Sequence, residues 1–186
     1  MAKKGDDGGQ APPKDPSKKL RKLIKGTRVV MLTTVGPDGR YRSRPMIPGD
    51  WEDGALFFLT RVPSAKTADI ADQQRVHLAY AAPRAKRYVS ISGLASIQRD
   101  AERVRALWGK EHKAWFPQGK KDPDLAVLRV QIDQADIWDR KANGMVPLLQ
   151  PAPAPSAPAP STGSRRTDKA EKAEKAEQPV GPGATG

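Results

Sequence analysis

The fold of this chain is decided by the stretch Leu56-Phe57-Phe58-Leu59-Thr60-Arg61-Val62-Pro63-Ser64-Ala65-Lys66-Thr67-Ala68-Asp69-Ile70. Its apolar run predicts a buried strand, and the turn with Pro63 and Ser64 predicts a short helix whose first turn carries Lys66. A helix N-terminus presents unpaired backbone N–H groups, so a hydroxyl and an ammonium among them form an anion site. We interpret the junction as a phosphate site. The alternative is that Ser64 only caps the helix and Lys66 is an ordinary solvated side chain.

A second strand, predicted over Arg40 to Ile47, carries the other cations of interest. It follows an Asp-Gly pair at Asp38-Gly39, which is a strong hairpin signal. If a turn pairs it with the Leu56 strand, its basic residues lie near the phosphate site. Arg42 and Arg44 are two residues apart and face the same side of the sheet, so one of them is a candidate second cation for a dianion. The alternative is a solvent-facing arginine pair on an edge strand.

The pattern of short strands predicts a mainly β fold, a small closed or nearly closed barrel with a few short helices. Besides the Leu56 stretch, strands are predicted over Thr27–Val35, Arg40–Ile47, Arg75–Ala82, Tyr88–Gln98, Leu125–Ile132 and Ala135–Asp139. Gly93, in the middle of the clearest strand, predicts a bend or bulge. A helix is expected from Asp100, as its N-cap, to Trp108.

Composition divides the 186 residues into three parts. We expect a disordered basic arm over 1–16, a folded domain over 17–140, and a disordered Pro/Ala-rich and Lys/Glu-rich tail over 141–186. The net charge is +12, but more than half of the excess lies outside 27–140, so the basic ends are candidates for weak, salt-sensitive contact with nucleic acid. There is no cysteine and no apolar targeting or membrane segment, which predicts a cytoplasmic protein without membrane contact.

Side chains that could perform catalysis are few. The two histidines, His77 and His112, have no carboxylate or histidine cluster at metal-ligand spacing, so no metal site is expected. His77 is interpreted as an ordinary strand residue. No serine nucleophile elbow and no glycine-rich nucleotide motif is present. If the protein performs chemistry, a cofactor must therefore supply it.

The order of these segments resembles the flavin-binding split barrels related to pyridoxamine 5'-phosphate oxidase. The arginine-bearing strand, the apolar strand ending in Thr60, and Ser64-x-Lys66 carry the resemblance. Tyr88–Gly93, the motif Lys113-Ala114-Trp115-Phe116-Pro117-x-Gly119 and the ending Ala135-x-x-Trp138-Asp139 are similar to the general stress protein branch.

The resemblance implies a split β-barrel homodimer that holds FMN at the subunit interface, with FAD, a deazaflavin or haem as alternatives. Arg44, Ser64 and Lys66 match phosphate positions, and Leu59 and Thr60 match the phosphate end of their strand. Pro45, Met46 and Ile47 match the strand whose backbone runs beside the flavin ring, and Tyr88 and Trp138 match positions near the flavin. Trp138 is expected to reach the other subunit's cofactor, and its alternative is dimer or core packing.

The chain also departs from the oxidases. Ala65-Lys66 stands where they carry Arg-Lys, and Gly49 stands where their flavin-side strand ends in Lys. The substrate-binding Arg and His of the oxidases have no match after Trp138, so pyridoxamine 5'-phosphate oxidation is not expected. The first hypothesis is therefore a redox protein or flavin carrier of general stress type, with no catalytic residue assigned. The second is a non-enzymatic module that associates with polyanions through its basic ends.

Overall fold

The computed structural model of this protein describes residues 15–150. The predicted basic arm, apart from its last two residues, and the predicted tail beyond 150 lie outside the described residues. Three α-helices are present, at α1 (Pro16–Ile24), α2 (Ala65–Asp72) and α3 (Ala101–Leu107). Short 3₁₀ segments cover Pro83–Ala85, Lys110–Ala114 and Gly119–Lys121. Within 15–150, no helix is long and apolar enough to cross a membrane.

Eight strands form one antiparallel sheet, which confirms the predicted mainly β class. The strands are β1 (Val30–Val35), β2 (Tyr41–Met46), β3 (Trp51–Glu52), β4 (Ala55–Arg61), β5 (Arg75–Ala82), β6 (Arg87–Gln98), β7 (Leu125–Asp139) and β8 (Gly144–Leu149). Their order is β2-β1-β5-β6-β7-β4-β3, and β8 pairs with the second half of β7.

The sheet curls around a single interior core. Met46 of β2 and Phe58 of β4 stand near opposite ends of the strand order, yet both belong to the same buried cluster. That cluster also holds Leu32, Leu78 and Ile91 from the strands between them, each fully buried. The sheet therefore wraps its apolar face inward, as the predicted barrel requires.

Strand β4 is buried on both faces, which explains its continuous apolar sequence. Phe58 points into the interior core, whereas Phe57 and Leu59 pack in a second cluster with Val104 of α3 and Phe116. A strand covered on both sides has no solvent face for polar residues. The end of β4 is thereby held between the core and α3, and this position fixes where the chain turns into α2.

The bend or bulge predicted at Gly93 is present between β6 and β7. The pairing of β6 with β7 shifts register between Ser92 and Gly93. A Cβ atom at position 93 would collide with the backbone carbonyl oxygen of Gln131. Only glycine allows the two strands to approach this closely, and the predicted bulge is confirmed.

Three expectations about the strands are wrong. The two strands predicted over 125–139 form one strand, β7, because its first half pairs with β4, its second half with β8, and β6 spans both. The folded region extends beyond Arg140, because β8 pairs with β7 and buries Leu148 in the core. Finally, β2 pairs with β1, and β4 pairs with β7 and β3, so the predicted pairing of the Arg42 strand with the Leu56 strand does not form.

Candidate functional site

A cavity of about 910 Å³ lies where β2, the end of β4 and the start of α2 meet. Although β2 and β4 do not pair, the curvature of the sheet brings them to the same cavity. Eight of the ten residues predicted to bind a cofactor line it, namely Arg44, Pro45, Met46, Ile47, Leu59, Thr60, Ser64 and Lys66. The volume falls within the range of sites that enclose small-molecule ligands and cofactors.

The start of α2 leaves the Ser64 hydroxyl available to a ligand. The N–H of Ser64 donates to Thr67 Oγ1 at 3.0 Å, and Thr67 Oγ1 in turn donates to the Ser64 carbonyl oxygen at 2.8 Å. Thr67 therefore ties the first turn together, and Ser64 Oγ lies 3.3 Å from Thr67 Oγ1 and accepts from Lys66 Nζ at 3.2 Å. A hydroxyl, an ammonium and the unpaired N–H groups of the first turn thus converge, which is the arrangement an anion requires.

Arg44 is held by a buried polar network. Its Nη1 donates to Thr34 Oγ1 at 2.6 Å, and its Nη2 lies 3.5 Å from Asp69 Oδ2. Asp69, on α2, is 2% exposed and also accepts from the Thr34 hydroxyl at 2.6 Å and from Arg42 Nη1 at 3.2 Å. Arg42 and Arg44 therefore do face the same side of the sheet. The two guanidinium groups share this one carboxylate, and Arg42 Nη2 also lies 3.3 Å from Asp38 Oδ1, which allows cations to gather beside the cavity.

Burial makes the cluster of cations costly without an anion. It lowers the pKa of Lys66, and the positive charge of Arg44 lowers that pKa further. Burial also lowers the pKa of Arg44, against the opposing effect of Asp69. A bound dianion would stabilise both charged forms and raise both pKa values. The unliganded site is thus electrostatically prepared for a phosphate.

Thr60 adds an unsatisfied polar atom to the same wall. Its side chain is 1% exposed, and its Oγ1 has no hydrogen-bond partner among the described residues. A buried hydroxyl without a partner costs free energy, so native structures rarely retain one without a reason. Because Thr60 lines the cavity, a ligand is the partner that its position favours.

Gly49 stands where the oxidases carry a lysine, and close packing explains why this chain has glycine there. The Gly49 N–H donates to the Phe57 carbonyl oxygen at 2.9 Å. A Cβ atom at position 49 would lie 2.5 Å from that oxygen and 2.9 Å from Leu107 Cδ2. Any larger residue would push β4 and α3 away, so a lysine has no space here in this chain.

The sequence did not predict a further part of the cavity lining. That part includes Arg61 from β4 and four residues of the segment after α3, namely Glu111, His112, Trp115 and Phe116. The segment is anchored by the buried Asp122, whose Oδ2 accepts from Arg61 Nη2 at 2.9 Å. The aromatic turn was visible in the sequence, but nothing in its spacing indicated which strand it would cover.

Tyr88 and Trp138 do not line the cavity. Tyr88 is 40% exposed on β6 and Trp138 is 39% exposed on β7, where it pairs with Met145 of β8. Within one protomer, Tyr88 and Trp138 therefore do not join the eight predicted residues that line the cavity.

The family profile described as "Pyridoxamine 5'-phosphate oxidase like" matches residues 15–155. Protein bli-3 of Neurospora crassa is 30% identical over 113 residues, which are 55% of this chain and 54% of that protein. The chain thus spans about half the length of this relative.

Two solved structures share the fold. General stress protein 26 from Bacillus anthracis is 28% identical with a TM-score of 0.59, over 64% of this chain and 91% of that one. The general stress FMN/FAD binding protein from Xanthomonas citri is 35% identical with a TM-score of 0.56, over 65% of this chain and 86% of that one.

Proposed function

The chain belongs to the Pyridoxamine 5'-phosphate oxidase like family, and from this premise we propose that it is a flavin-binding protein whose cavity holds FMN. The Xanthomonas citri relative, an FMN/FAD binding protein of the general stress group, supports a flavin as the ligand class. FMN is preferred to FAD or a deazaflavin because the cavity combines one compact anion site with a largely apolar remainder.

The observation that carries this proposal is the convergence of Arg44, Ser64 and Lys66 on one cavity. Together with the unsatisfied Thr60 hydroxyl, they fit a phosphate and the polar chain next to it. Arg44 and Lys66 supply charge, and Ser64 and the first turn of α2 supply directed donors. Pro45, Met46 and Ile47 form the adjoining surface along which the ring would lie.

The proposed role is that of a redox protein or flavin carrier in the cytoplasm. The flavin, when bound, supplies hydride and electron transfer at its ring, and these steps need no acidic or basic side chain from the protein. The residues of this chain bind and orient the ring and shield it from water. Pyridoxamine 5'-phosphate oxidation is not proposed, because the substrate-binding Arg and His have no counterparts after Trp138.

We further propose that the protein acts as a homodimer. Tyr88, Trp138 and Met145 are large apolar side chains with 39 to 47% of their surface exposed, all on the β6-β7-β8 part of the sheet. Exposed apolar groups gathered on one face favour association. In a dimer, Trp138 would contact the partner subunit's cofactor, which accounts for its distance from the cavity of its own chain.

Titration of the purified protein with FMN tests the proposed function. We expect a yellow complex at one flavin per chain and quenching of flavin fluorescence on binding. Binding should weaken as the pH rises through the lowered pKa of Lys66, because the ammonium then loses its charge. Protein that stays colourless and leaves the fluorescence of FMN and riboflavin unchanged would refute the proposal.

A further inference from the structure

His112 is a buried histidine whose tautomer is fixed by the backbone. It is 3% exposed in the 3₁₀ segment Lys110–Ala114, and the N–H of Gly109 donates to its Nδ1 at 3.0 Å. Glu111 Oε1 lies 3.9 Å from the same nitrogen, beyond hydrogen-bonding distance. Because Nδ1 accepts, the neutral ring carries its proton on Nε2.

The Nε2–H group of His112 has no assigned partner. Among the hydrogen bonds of residues 15–150 this nitrogen takes part in none, and the side chain lines the cavity. The ring is held by Trp108 and Phe116, whose ring centroids lie 5.9 and 6.4 Å from its own. The imidazole is thus held rigidly in a residue that is 3% exposed, and its Nε2–H is available to a ligand in the cavity.

The residues around His112 indicate which kind of ligand atom would accept a hydrogen bond from its Nε2–H. The nearby lining consists of Phe116, which is buried, the Trp115 indole, which is 62% exposed, and Glu111. Arg61, which also lines the cavity, pairs with Asp122 at 2.9 Å, as Arg44 pairs with Asp69 at 3.5 Å. A dianionic phosphate is better served by the Ser64–Lys66 junction with Arg44, whereas a neutral donor beside aromatic groups suits a carbonyl oxygen or ring nitrogen of a planar heteroaromatic ligand.

We propose that His112 is a ligand-positioning residue whose Nε2–H donates to an acceptor atom on the ring system of the bound flavin. This inference rests on the proposed function and adds a contact outside the phosphate site. The contact uses an atom that FMN and riboflavin share, so it should contribute equally to the binding of both.

Two substitutions separate this role from a structural one. His112→Asn keeps an acceptor for the Gly109 N–H, at the place of Nδ1, but has no donor at the place of Nε2. His112→Gln does the reverse, because its amide nitrogen reaches the Nε2 position while the acceptor for Gly109 is lost. For each variant, the dissociation constants of FMN and riboflavin are measured by fluorescence quenching. The melting temperature is measured without ligand.

If His112 binds the ring, His112→Asn weakens both flavins about three- to tenfold, the amount expected for one neutral hydrogen bond. Its melting temperature falls only by the amount due to the lost ring packing against Trp108 and Phe116, because the Gly109 N–H keeps an acceptor. His112→Gln should bind flavins more tightly than the Asn variant and melt at a lower temperature.

The opposite ranking of the two variants would overturn the proposal, and so would unchanged binding by His112→Asn or a loss confined to FMN. If the unmodified protein binds neither FMN nor riboflavin, the proposed function fails and this inference fails with it. Binding by the unmodified protein with an unaffected Asn variant overturns only the role of His112.

Discussion

Asp69 provides the sharpest test of how the cations beside the cavity are held. Its carboxylate is buried and bonded to Thr34, Arg42 and Arg44. In Asp69→Asn the negative charge is removed, and one of the former acceptor atoms becomes a donor that faces guanidinium groups. We expect this variant to fold less stably, with Arg44 as the main reason.

The magnitude follows from the exposure of the partners. Removing one member of a buried ion pair costs about 3–5 kcal/mol. Here the Arg44 and Arg42 side chains keep 20% and 39% of their surface exposed, so water compensates part of the loss. We therefore expect the free energy of unfolding to fall by about 2–3 kcal/mol, a large share of the ~5–15 kcal/mol typical of a domain.

The assay is a double-mutant cycle by urea unfolding of the unliganded protein. It compares Asp69→Asn, Arg44→Gln and the double variant. We expect a coupling energy of about 1–2 kcal/mol, because the double variant no longer leaves a buried charge unpaired. The control pair is Arg75 and Asp133, 2.8 Å apart with 63% and 26% of their side chains exposed, and it should couple by less than about 1 kcal/mol. Additive effects at Asp69 and Arg44 would refute the proposed network.

Three further predictions concern the barrel. Tyr80→Phe should raise the free energy of unfolding by about 1 kcal/mol, measured in urea, because the buried hydroxyl has no partner among residues 15–150. Gly93→Ala should lower it by about 3 kcal/mol through the clash with the Gln131 carbonyl. Gly144→Ala should have little effect, because its Cβ would meet only the Ala142 carbonyl oxygen, at an ordinary contact distance of 3.8 Å. Burial lowers the pKa of His77, so the unfolded chain binds the proton more readily than the folded chain. The stability of the protein should therefore fall as the pH drops below about 6.5. In His77→Gln, melting curves from pH 7.5 to 5 should no longer show the part of this fall that is due to His77.

Local patterns were enough to predict much of the fold. The alternation in β6 and the glycine in its middle predicted both the strand and its bulge, because side-chain period and backbone approach are local properties. The junction from Thr60 to Lys66 was predicted for the same reason, since a strand end, a turn and a helix start follow one another in sequence. The resemblance then supplied the positions of Arg44 and the β2 residues that line the cavity.

Long-range pairing was where sequence reasoning failed. Nothing near Arg44 indicates that its counter-charge is Asp69, 25 residues away on α2. Strand β8 contains Pro147 and follows a polar turn, so its own sequence does not predict a strand. It forms because it pairs with β7. In the sequence, His112 has no partner at metal-ligand spacing, and its place in the cavity lining depends on how the segment after α3 folds over β4.

The most direct test of the flavin site compares FMN with riboflavin, which differ only in the phosphate, on the unmodified protein and on Arg44→Ala/Lys66→Ala. Two charge-assisted contacts predict that the unmodified protein prefers FMN by about a hundredfold or more at pH 7, and that the double variant loses this preference while its affinity for riboflavin changes little. The control Lys19→Ala/Arg75→Ala, which removes two exposed cations that do not line the cavity, should keep the preference. Equal losses for both flavins in the Arg44 and Lys66 variant, or no preference in the unmodified protein, would contradict the assignment of a phosphate to this cavity.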